Sequence, residues 1–228
     1  MEPRRPDDLI RQAVNLLVER CPRLVKACYW AGTSAIALEE LGHRQSFDID
    51  LHTCKALQDT RPLLAEIQRA FPGGLALLQA PDEFGGAFSG ELDLPGGEKI
   101  TIEVLSNYED VDEADLVPSR TNPGLRRISI ARYLVDKIQC IAERTEARDL
   151  VDIRAVLEAR PDLERIARRV FAGQDAIILA ERLLGWTDDA IRKDLEAYAD
   201  VRWTDAIEAR RLLLSWLGAK GSGGEGPP

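Results

Sequence analysis

A short apolar segment that carries two carboxylates constrains this chain more than any other feature. In Phe47-Asp48-Ile49-Asp50-Leu51 polar and apolar side chains alternate, which is typical of a β-strand with one buried face. Asp48 and Asp50 therefore point to one side, and we expect the three apolar side chains to face a core. Two carboxylates at close range repel each other, so a cation is expected between them. A hard divalent ion such as Mg²⁺ suits such oxygen ligands and retains phosphate oxygens in its coordination shell.

A turn of small residues, Ala31-Gly32-Thr33-Ser34, lies upstream of this strand. The apolar run that follows predicts a helix over residues 34–41, with a glycine as its C-terminal stop. Backbone N–H groups at the start of a helix suit a phosphate group. The turn and the carboxylate strand together indicate metal-assisted phosphoryl or nucleotidyl chemistry.

Three residues around the strand each allow two interpretations. Glu103 lies on a predicted strand over residues 99–105, on the face opposite its apolar side chains. It is either a third carboxylate beside the aspartate pair or an exposed residue of an edge strand. Arg44 and Ser46 precede the aspartate pair, and each either contacts a phosphate or belongs to a solvated loop.

A second block of charged residues follows in the C-terminal half. If one helix runs through this block, Lys137, Arg144 and Arg148 lie close to one face and present three cations. The alternative is an ordinary charged helix face, on which acidic neighbours such as Glu143 and Asp149 form ion pairs. The spacing by itself favours the second interpretation.

The pattern of the whole chain predicts an α+β protein with a mixed β-sheet in its first half. We expect an α/β domain over residues 1–124, an all-helical domain over residues 125–218 and a disordered tail over residues 219–228. In the first domain helices are predicted over residues 7–21, 34–41 and 61–71, and strands over residues 47–53, 75–78, 90–94 and 99–105. In the second domain helices are predicted over residues 130–144, 147–159, 163–170, 174–184, 188–198 and 204–217.

Composition narrows the class of protein. The formal net charge of −9 argues against broad, non-specific binding of nucleic acid, although a local basic groove stays compatible with it. No apolar run approaches the ~20 residues that cross a bilayer, and no signal-peptide pattern follows the N-terminus, so we expect a cytoplasmic protein without membrane contact. The four cysteines form no C-x-x-C pair, which predicts free thiols. With two histidines, a His-based metal site or a Ser-His-Asp triad is poorly supplied.

The two blocks resemble the AbiEii/AbiGii-type nucleotidyltransferases, toxin components of bacterial toxin–antitoxin and phage-defence systems. Residues 31–51 are similar to the family pattern of a Gly-Gly-Thr/Ser turn, a helix and then His-Arg-x-Ser-x-Asp-Ile/Leu-Asp-Leu. Residues 137–152 are similar to the family pattern of a Lys, an Arg seven residues later and then Arg/Lys-Asp-x-x-Asp. The first glycine of the turn pattern is Ala31 in this chain.

The resemblance implies a nucleotidyltransferase fold followed by a helical domain. It implies Mg²⁺ or Mn²⁺ held by Asp48 and Asp50, with Glu103 as a further ligand or a base. Asp149 would organise Lys137 or contact the nucleotide. The residues expected to contact the NTP substrate are Gly32, Thr33, Ser34, Arg44, Ser46, Lys137, Arg144 and Arg148.

The function expected from the resemblance is metal-dependent transfer of a nucleotide monophosphate from an NTP to an acceptor. Family members of this type act on tRNA acceptor ends, so RNA is the expected acceptor, and a separately encoded antitoxin is the expected protein partner. Two alternatives stay open at this point. The acceptor is instead a protein or a small molecule, or the chain is a catalytically idle module that binds a nucleotide or a partner.

Overall fold

A seven-stranded mixed sheet organises the N-terminal part of the protein. The computed structural model describes residues 5–173 and 175–218, and the chain divides into two compact units, Met1–Ser129 and Ile130–Pro228. The predicted tail over residues 219–228 and the first residue of the helix predicted over residues 174–184 lie outside the described residues. The strands are β1 (Cys28–Ala31), β2 (Asp48–Ala56), β3 (Leu75–Gln79), β4 (Ala87–Asp93), β5 (Lys99–Asn107), β6 (Leu116–Pro118) and β7 (Arg126–Ile128).

The strand order across the sheet is β3-β4-β5-β2-β1-β7-β6. Strand β2 lies in the middle, parallel to β5 and antiparallel to β1, and a further parallel pairing joins β1 to β7. Alternation along β2 and β5 places one row of side chains in the core, as the sequence predicts. The buried row comprises Ile49, Leu51, Ile100, Ile102 and Val104.

Helices cover the apolar side of the sheet. In the first unit they are α1 (Pro6–Arg20), α2 (Pro22–Ala27), α3 (Gly32–Ile36) and α4 (Arg61–Ala70), with a π-helical turn over Ala37–Leu41 directly after α3. The buried stripe of α1 consists of residues three and four apart, Ile10, Ala13, Val14 and Leu17. Glu66 of α4 accepts hydrogen bonds from two N–H groups in the first turn of α2, which have no partner within their own helix.

The second unit is helical throughout its described elements. Its helices are α5 (Ile130–Glu143), α6 (Ala147–Ala159), α7 (Glu164–Phe171), α8 (Ala176–Gly185), α9 (Asp188–Leu195) and α10 (Trp203–Gly218), which confirms the α+β class. Helix α6 packs against α5 and α10. On α10 the buried Ala206 and Ala209 allow close approach of the two helix backbones.

The predicted helix over residues 34–41 differs from the structure. The helical segment begins at Gly32 and changes to a π-helical turn at Ala37, and it ends at Gly42, which has φ 59°. This turn directs Glu39 towards the segment that connects β6 and β7. Strands β6 and β7 were not predicted, because three-residue strands are too short to show an alternation.

A buried ion pair joins the π-helical turn to the rest of the sheet. Glu39 accepts hydrogen bonds from Arg127 Nε at 2.6 Å, from Ser119 Oγ at 2.6 Å and from the backbone N–H groups of Arg120 and Thr121. The side chains of Glu39 and Arg127 are 1% and 3% exposed, and Glu40 also pairs with Arg127. Burial by itself raises the pKa of Glu39, but the hydrogen bonds outweigh it and hold that pKa below its ordinary value.

We expect Glu39→Gln to lower the free energy of unfolding by about 3 kcal/mol at neutral pH, because it leaves the buried Arg127 without its principal counter-charge. A lowered pKa in the folded state means that the ionised carboxyl stabilises the fold above pH 4.5, its ordinary pKa, and that this contribution disappears as the pH falls further. The difference between wild type and variant, measured by urea unfolding, should therefore shrink on acidification.

The matched control is Glu91→Gln, which breaks the exposed pair of Glu91 with Lys99. This change should cost no more than about 0.5 kcal/mol, as is usual for surface pairs. Equal losses in the two variants, or a Glu39→Gln loss that does not depend on pH, would contradict the role given to the buried pair.

Candidate active site

Two carboxylates of β2 stand on the sheet face opposite the buried apolar row. Asp48 and Asp50 are partly exposed, while Ile49 between them is fully buried. The predicted alternation therefore holds from Asp48 onward. The inward orientation expected for Phe47 was wrong: its side chain is 64% exposed, because β2 begins one residue later and Phe47 lies outside the pleat.

Glu103 lies beside Asp50 in the sheet. The parallel pairing of β2 with β5 places Asp50 opposite Glu103 and Asp48 opposite Thr101. Because neighbouring residues of paired strands point to the same face, the side chains of Asp50 and Glu103 share one side of the sheet. Glu103 is exposed, but β5 is not an edge strand, because it lies between β4 and β2.

The small-residue turn approaches the carboxylates from the other side of β2. Ala31 at the end of β1 pairs with Asp50, and Gly32 follows directly. Gly32 has φ +67°, and a Cβ atom on it would lie 1.8 Å from Oδ2 of Asp50. Glycine is therefore required here both for its backbone angle and for the close approach of the carboxylate. Ala31 has an extended backbone with φ −100°, which a residue other than glycine adopts without strain.

Short hydrogen bonds connect the side chains around this turn. Arg44 Nη2 donates to Thr33 Oγ1 at 2.7 Å, and Ser46 Oγ donates to Asp48 Oδ1 at 2.7 Å. Ser34 differs from them, because it is fully buried and its Oγ accepts a hydrogen bond from Trp30 Nε1 at 2.9 Å. The side chain of Ser34 therefore points into the core and away from the surface of the turn.

The residues present suit a divalent ion held by two carboxylates. Within residues 5–173 and 175–218 no group of three or more His, Cys, Asp or Glu side chains lies close enough together to hold a metal ion. Asp48, Asp50 and Glu103 therefore do not form a ready three-carboxylate centre. Mg²⁺ is usually bound by one or two carboxylates, with waters and substrate phosphates completing its shell, and Asp48 and Asp50 fit that pattern.

Lys137 of α5 lies between two buried carboxylates of α6. Its Nζ is 2.7 Å from Asp149 Oδ1 and 2.8 Å from Asp152 Oδ2, and the side chains of the two aspartates are 1% and 0% exposed. Burial opposes the charge of Lys137, but the two carboxylates outweigh it and raise the pKa of the ammonium well above its ordinary value. Lys137 is thus a permanent cation that stands 5.4 Å from the ring centre of Tyr133.

The other cations of this block occupy different environments. Arg144 donates to both carboxylate oxygens of Asp149, at 3.0 and 3.1 Å, while its side chain stays 45% exposed. This hydrogen bonding raises the pKa of Arg144, with burial acting in the opposite direction. Arg148 pairs with Glu146 at 2.6 Å and lies over the ring of Tyr198.

Two features of these sites were missed at the level of sequence. Asp152 was not expected to be a site residue, although its spacing of three from Asp149 places both on one helix face. The Glu39–Arg127 pair joins residues 88 positions apart, and no local pattern signals such a contact.

The four cysteines are free, as predicted, and burial raises the pKa of Cys21 to about 12, so that this thiol stays protonated at neutral pH.

Comparison with known proteins identifies the family of the chain. Residues 32–211 match the model of the nucleotidyl transferase AbiEii toxin of type IV toxin–antitoxin systems. No curated protein matched the chain in sequence.

Two solved structures share the fold. JHP933 from Helicobacter pylori is 21% identical to this chain. The alignment covers 94% of this chain and 93% of JHP933, with a TM-score of 0.50. MenT4, a nucleotidyltransferase toxin from Mycobacterium tuberculosis H37Rv, is 15% identical with the same coverage of both chains and a TM-score of 0.50.

We expect Gly32→Ala to destabilise the first unit by more than backbone strain alone explains. A left-handed backbone costs a residue with a Cβ atom roughly 1–2 kcal/mol, and here the added methyl group also displaces the carboxylate of Asp50. Gly42→Ala is the matched control, because Gly42 has φ +59° and no atom lies within 4 Å of the added Cβ. Urea unfolding should show a clearly larger loss for Gly32→Ala, and equal losses would contradict the close packing at the turn.

Proposed function

The chain belongs to the AbiEii family of nucleotidyl transferase toxins, and from this premise we propose that it transfers a nucleotide monophosphate from an NTP to RNA. The proposed acceptor is the acceptor end of tRNA. The observation that carries the proposal is the register of the sheet, in which Ala31, Asp50 and Glu103 lie side by side. This register brings a glycine turn and two carboxylates together on the sheet face opposite the apolar core.

Asp48 and Asp50 are the proposed ligands of Mg²⁺ or Mn²⁺. The ion, when bound, neutralises negative charge on the phosphates and so lowers the barrier to attack at the α-phosphorus. The hydrogen bond from Ser46 orients the carboxylate of Asp48, and the packing of Gly32 against Asp50 restrains the second carboxylate. Both carboxylates are thus held in place before substrate arrives, which is the condition for effective electrostatic catalysis.

Glu103 is the proposed base. The attacking hydroxyl of the acceptor forms a bond to the α-phosphorus, the bond to the bridging oxygen breaks, and pyrophosphate leaves. Glu103 accepts the proton of that hydroxyl in this scheme. Its position beside Asp50 and its exposure support the assignment, because a base must reach a substrate that lies on the same face as the metal ligands.

Each unit by itself offers candidate contacts to a triphosphate, which we propose on the basis of the family. Gly32 and Thr33 contribute backbone N–H groups, and Arg44, held by Thr33, contributes a guanidinium. Arg144 is the cation of the second block that best suits a phosphate, because it keeps 45% of its side chain exposed while Asp149 orients it. Lys137 is the second proposed cation, and Asp149 positions it through their buried ion pair.

The remaining proposed contacts are weaker. Arg148 is shared with Glu146 and Tyr198, so a phosphate would compete with these partners. Ser34 supports the turn from the core through Trp30, and its contribution to a nucleotide is limited to its backbone.

A protein or small-molecule acceptor is the second candidate. The net charge of −9 favours it, because the extended phosphate contacts of RNA binding require an excess of Lys and Arg.

Within the described residues no helix has the length and apolarity needed to span a bilayer. We place the reaction in the cytoplasm, which supplies both NTPs and RNA, and we propose a separately encoded antitoxin as protein partner on the basis of the family.

Asp48→Ala should reduce transfer at least about 100-fold, because a metal ligand contributes several kcal/mol to the transition state. The measurement incubates each labelled NTP with Mg²⁺ and total RNA and follows label in the RNA, protein and small-molecule fractions. Asp93→Ala is the control, since Asp93 is an exposed aspartate at the far end of β4. Transfer by Asp48→Ala at the wild-type rate would sink the metal assignment, and label outside the RNA fraction would favour the second candidate.

Expression of the wild-type chain without an antitoxin should arrest growth, and Asp50→Ala should relieve the arrest. The physical reason is that growth arrest requires catalysis, which the loss of the second proposed ligand removes. Colony counts after induction measure the effect, with immunoblotting to confirm equal protein levels. Arrest by both proteins at equal levels would show that toxicity does not depend on this carboxylate.

A further inference from the structure

A cavity of about 510 Å³ opens in the first unit, where strands β2 and β5 end. Leu57, Phe84, Leu105 and Tyr108 contribute its apolar lining, and Gln58, Gln79 and Ser106 contribute polar groups. Its volume lies in the range of pockets that hold small ligands. None of the functional assignments above uses it.

One residue of the cavity lining, Leu105, lies on the sheet face that carries the carboxylates. Leu105 follows Glu103 by two residues on β5, which keeps the two side chains on one face and about 7 Å apart along the strand. In the register of the sheet Leu105 pairs with His52 of β2, and Glu103 pairs with Asp50. Leu105 therefore lies two residue pairs beyond the carboxylates, a separation similar to that between a phosphate and the base of one nucleotide.

Large apolar side chains at the mouth of the cavity are exposed. Tyr108 is 88% exposed, Phe84 is 79% exposed and Leu57 is 75% exposed. Leu57 also has φ +49°, which is rare and strained for a residue other than glycine. Such a group of exposed apolar side chains marks a binding site more often than a plain surface.

Both aromatic side chains stand on anchored backbone. Asp110 accepts hydrogen bonds from Lys55 Nζ and from the backbone N–H of Ala56, which ties the segment after Tyr108 to the end of β2. Asp82 accepts hydrogen bonds from the N–H groups of Phe84 and Gly86. The backbone that carries the two rings is thus held in position, which lowers the entropic cost of stacking a ligand on them.

The polar groups of the cavity suit an uncharged, planar ligand. The Oγ of Ser106 is buried and has no hydrogen-bond partner, although buried hydroxyl groups normally have one. The amides of Gln58 and Gln79 offer further donors and acceptors. Of the described residues that line the cavity none is Lys or Arg, and Asp82 is its single charged residue, so the lining does not favour a phosphate.

We propose that this cavity binds an unpaired nucleobase, which stacks on Tyr108 and Phe84 and forms hydrogen bonds with Ser106 and the glutamine amides. The base belongs either to the NTP donor or to the terminal nucleotide of the acceptor, and the proposal rests on the proposed nucleotidyl transfer. Stacking on aromatic rings and hydrogen bonding at base edges are the usual means of recognising single-stranded nucleic acid.

The test measures KM for the NTP and for the RNA acceptor separately in Tyr108→Ala, Phe84→Ala and Leu57→Gly. Each variant should raise one of the two KM values, with roughly a 5- to 100-fold rise for the aromatic changes. A rise for the NTP assigns the cavity to the donor base, and a rise for RNA assigns it to the acceptor base. Leu57→Gly should raise that KM value without loss of thermal stability, because glycine adopts the backbone angle of Leu57 without strain.

Ile177→Ala is the matched control, because Ile177 is 74% exposed and lies on α8 of the second unit. It should leave both KM values unchanged. If wild type transfers label and the three cavity variants keep both wild-type KM values, the base subsite is refuted while the proposed function stands.

Equilibrium binding of a labelled NTP and of a labelled single-stranded oligoribonucleotide provides a readout that does not depend on turnover. Should the wild-type chain show no transfer, weaker binding of either probe by Tyr108→Ala would still support the subsite. Equal binding by both proteins, or no binding by either, would refute it. If the variants instead lose only a co-expressed antitoxin, the cavity is a protein-docking surface and the proposal is overturned.

Discussion

The pairing of β2 with its two neighbours is the constraint on which the rest of the first unit depends. Strand β2 must bury Ile49 and Leu51 on one side while Asp48 and Asp50 remain on the other. A slip of one residue in its register would bring the carboxylates into the core, where unpaired charge is costly, so the apolar row determines where the acids stand. The same register brings Gly32 against Asp50 and Glu103 beside it.

Each unit contains a buried cluster in which charged side chains form ion pairs with side chains of opposite charge. In the first unit Glu39 accepts hydrogen bonds from four donors, including Arg127. Its pKa is lowered because these hydrogen bonds outweigh the effect of burial, which raises it. In the second unit Lys137 is enclosed by Asp149 and Asp152. Such clusters add little net stability compared with apolar packing, but they are strongly directional. We infer that their effect is to orient: one holds the π-helical turn against β7, and the other fixes the ammonium and, through Asp149, the guanidinium of Arg144.

One sheet face carries most of the chemistry proposed for the first unit. Its opposite face packs against helices and supplies the core, while this face carries Asp50, Glu103 and Leu105, of which Leu105 also lines the cavity. The order along this face follows from strand geometry, since Asp50 and Glu103 come first and Leu105 comes two residue pairs later. A substrate with phosphate at one end and a flat, uncharged group at the other matches that order.

Local patterns in the sequence were sufficient to predict the longer helices and strands and the common face of the two aspartates. The alternation around Asp48 and Asp50 predicted their common face, and the helical periodicity of residues 130–217 predicted the helices of the second unit. These features follow from periods of 2 and 3.6 residues, which are properties of the chain itself. The match of residues 32–211 confirms the family to which the motifs pointed.

Tertiary structure alone decided which side chains of those elements face the core and which charges are buried. Phe47 is exposed because β2 begins after it. Ser34 is buried and accepts a hydrogen bond from Trp30, and Glu39 of the π-helical turn is buried against Arg127 of β7. Strands β6 and β7 are too short to be recognised from the sequence, and they form only through pairing of β7 with β1 and of β6 with β7. These outcomes depend on contacts between residues far apart in the chain, and the free energy of burying a charge depends on partners that a local pattern does not contain.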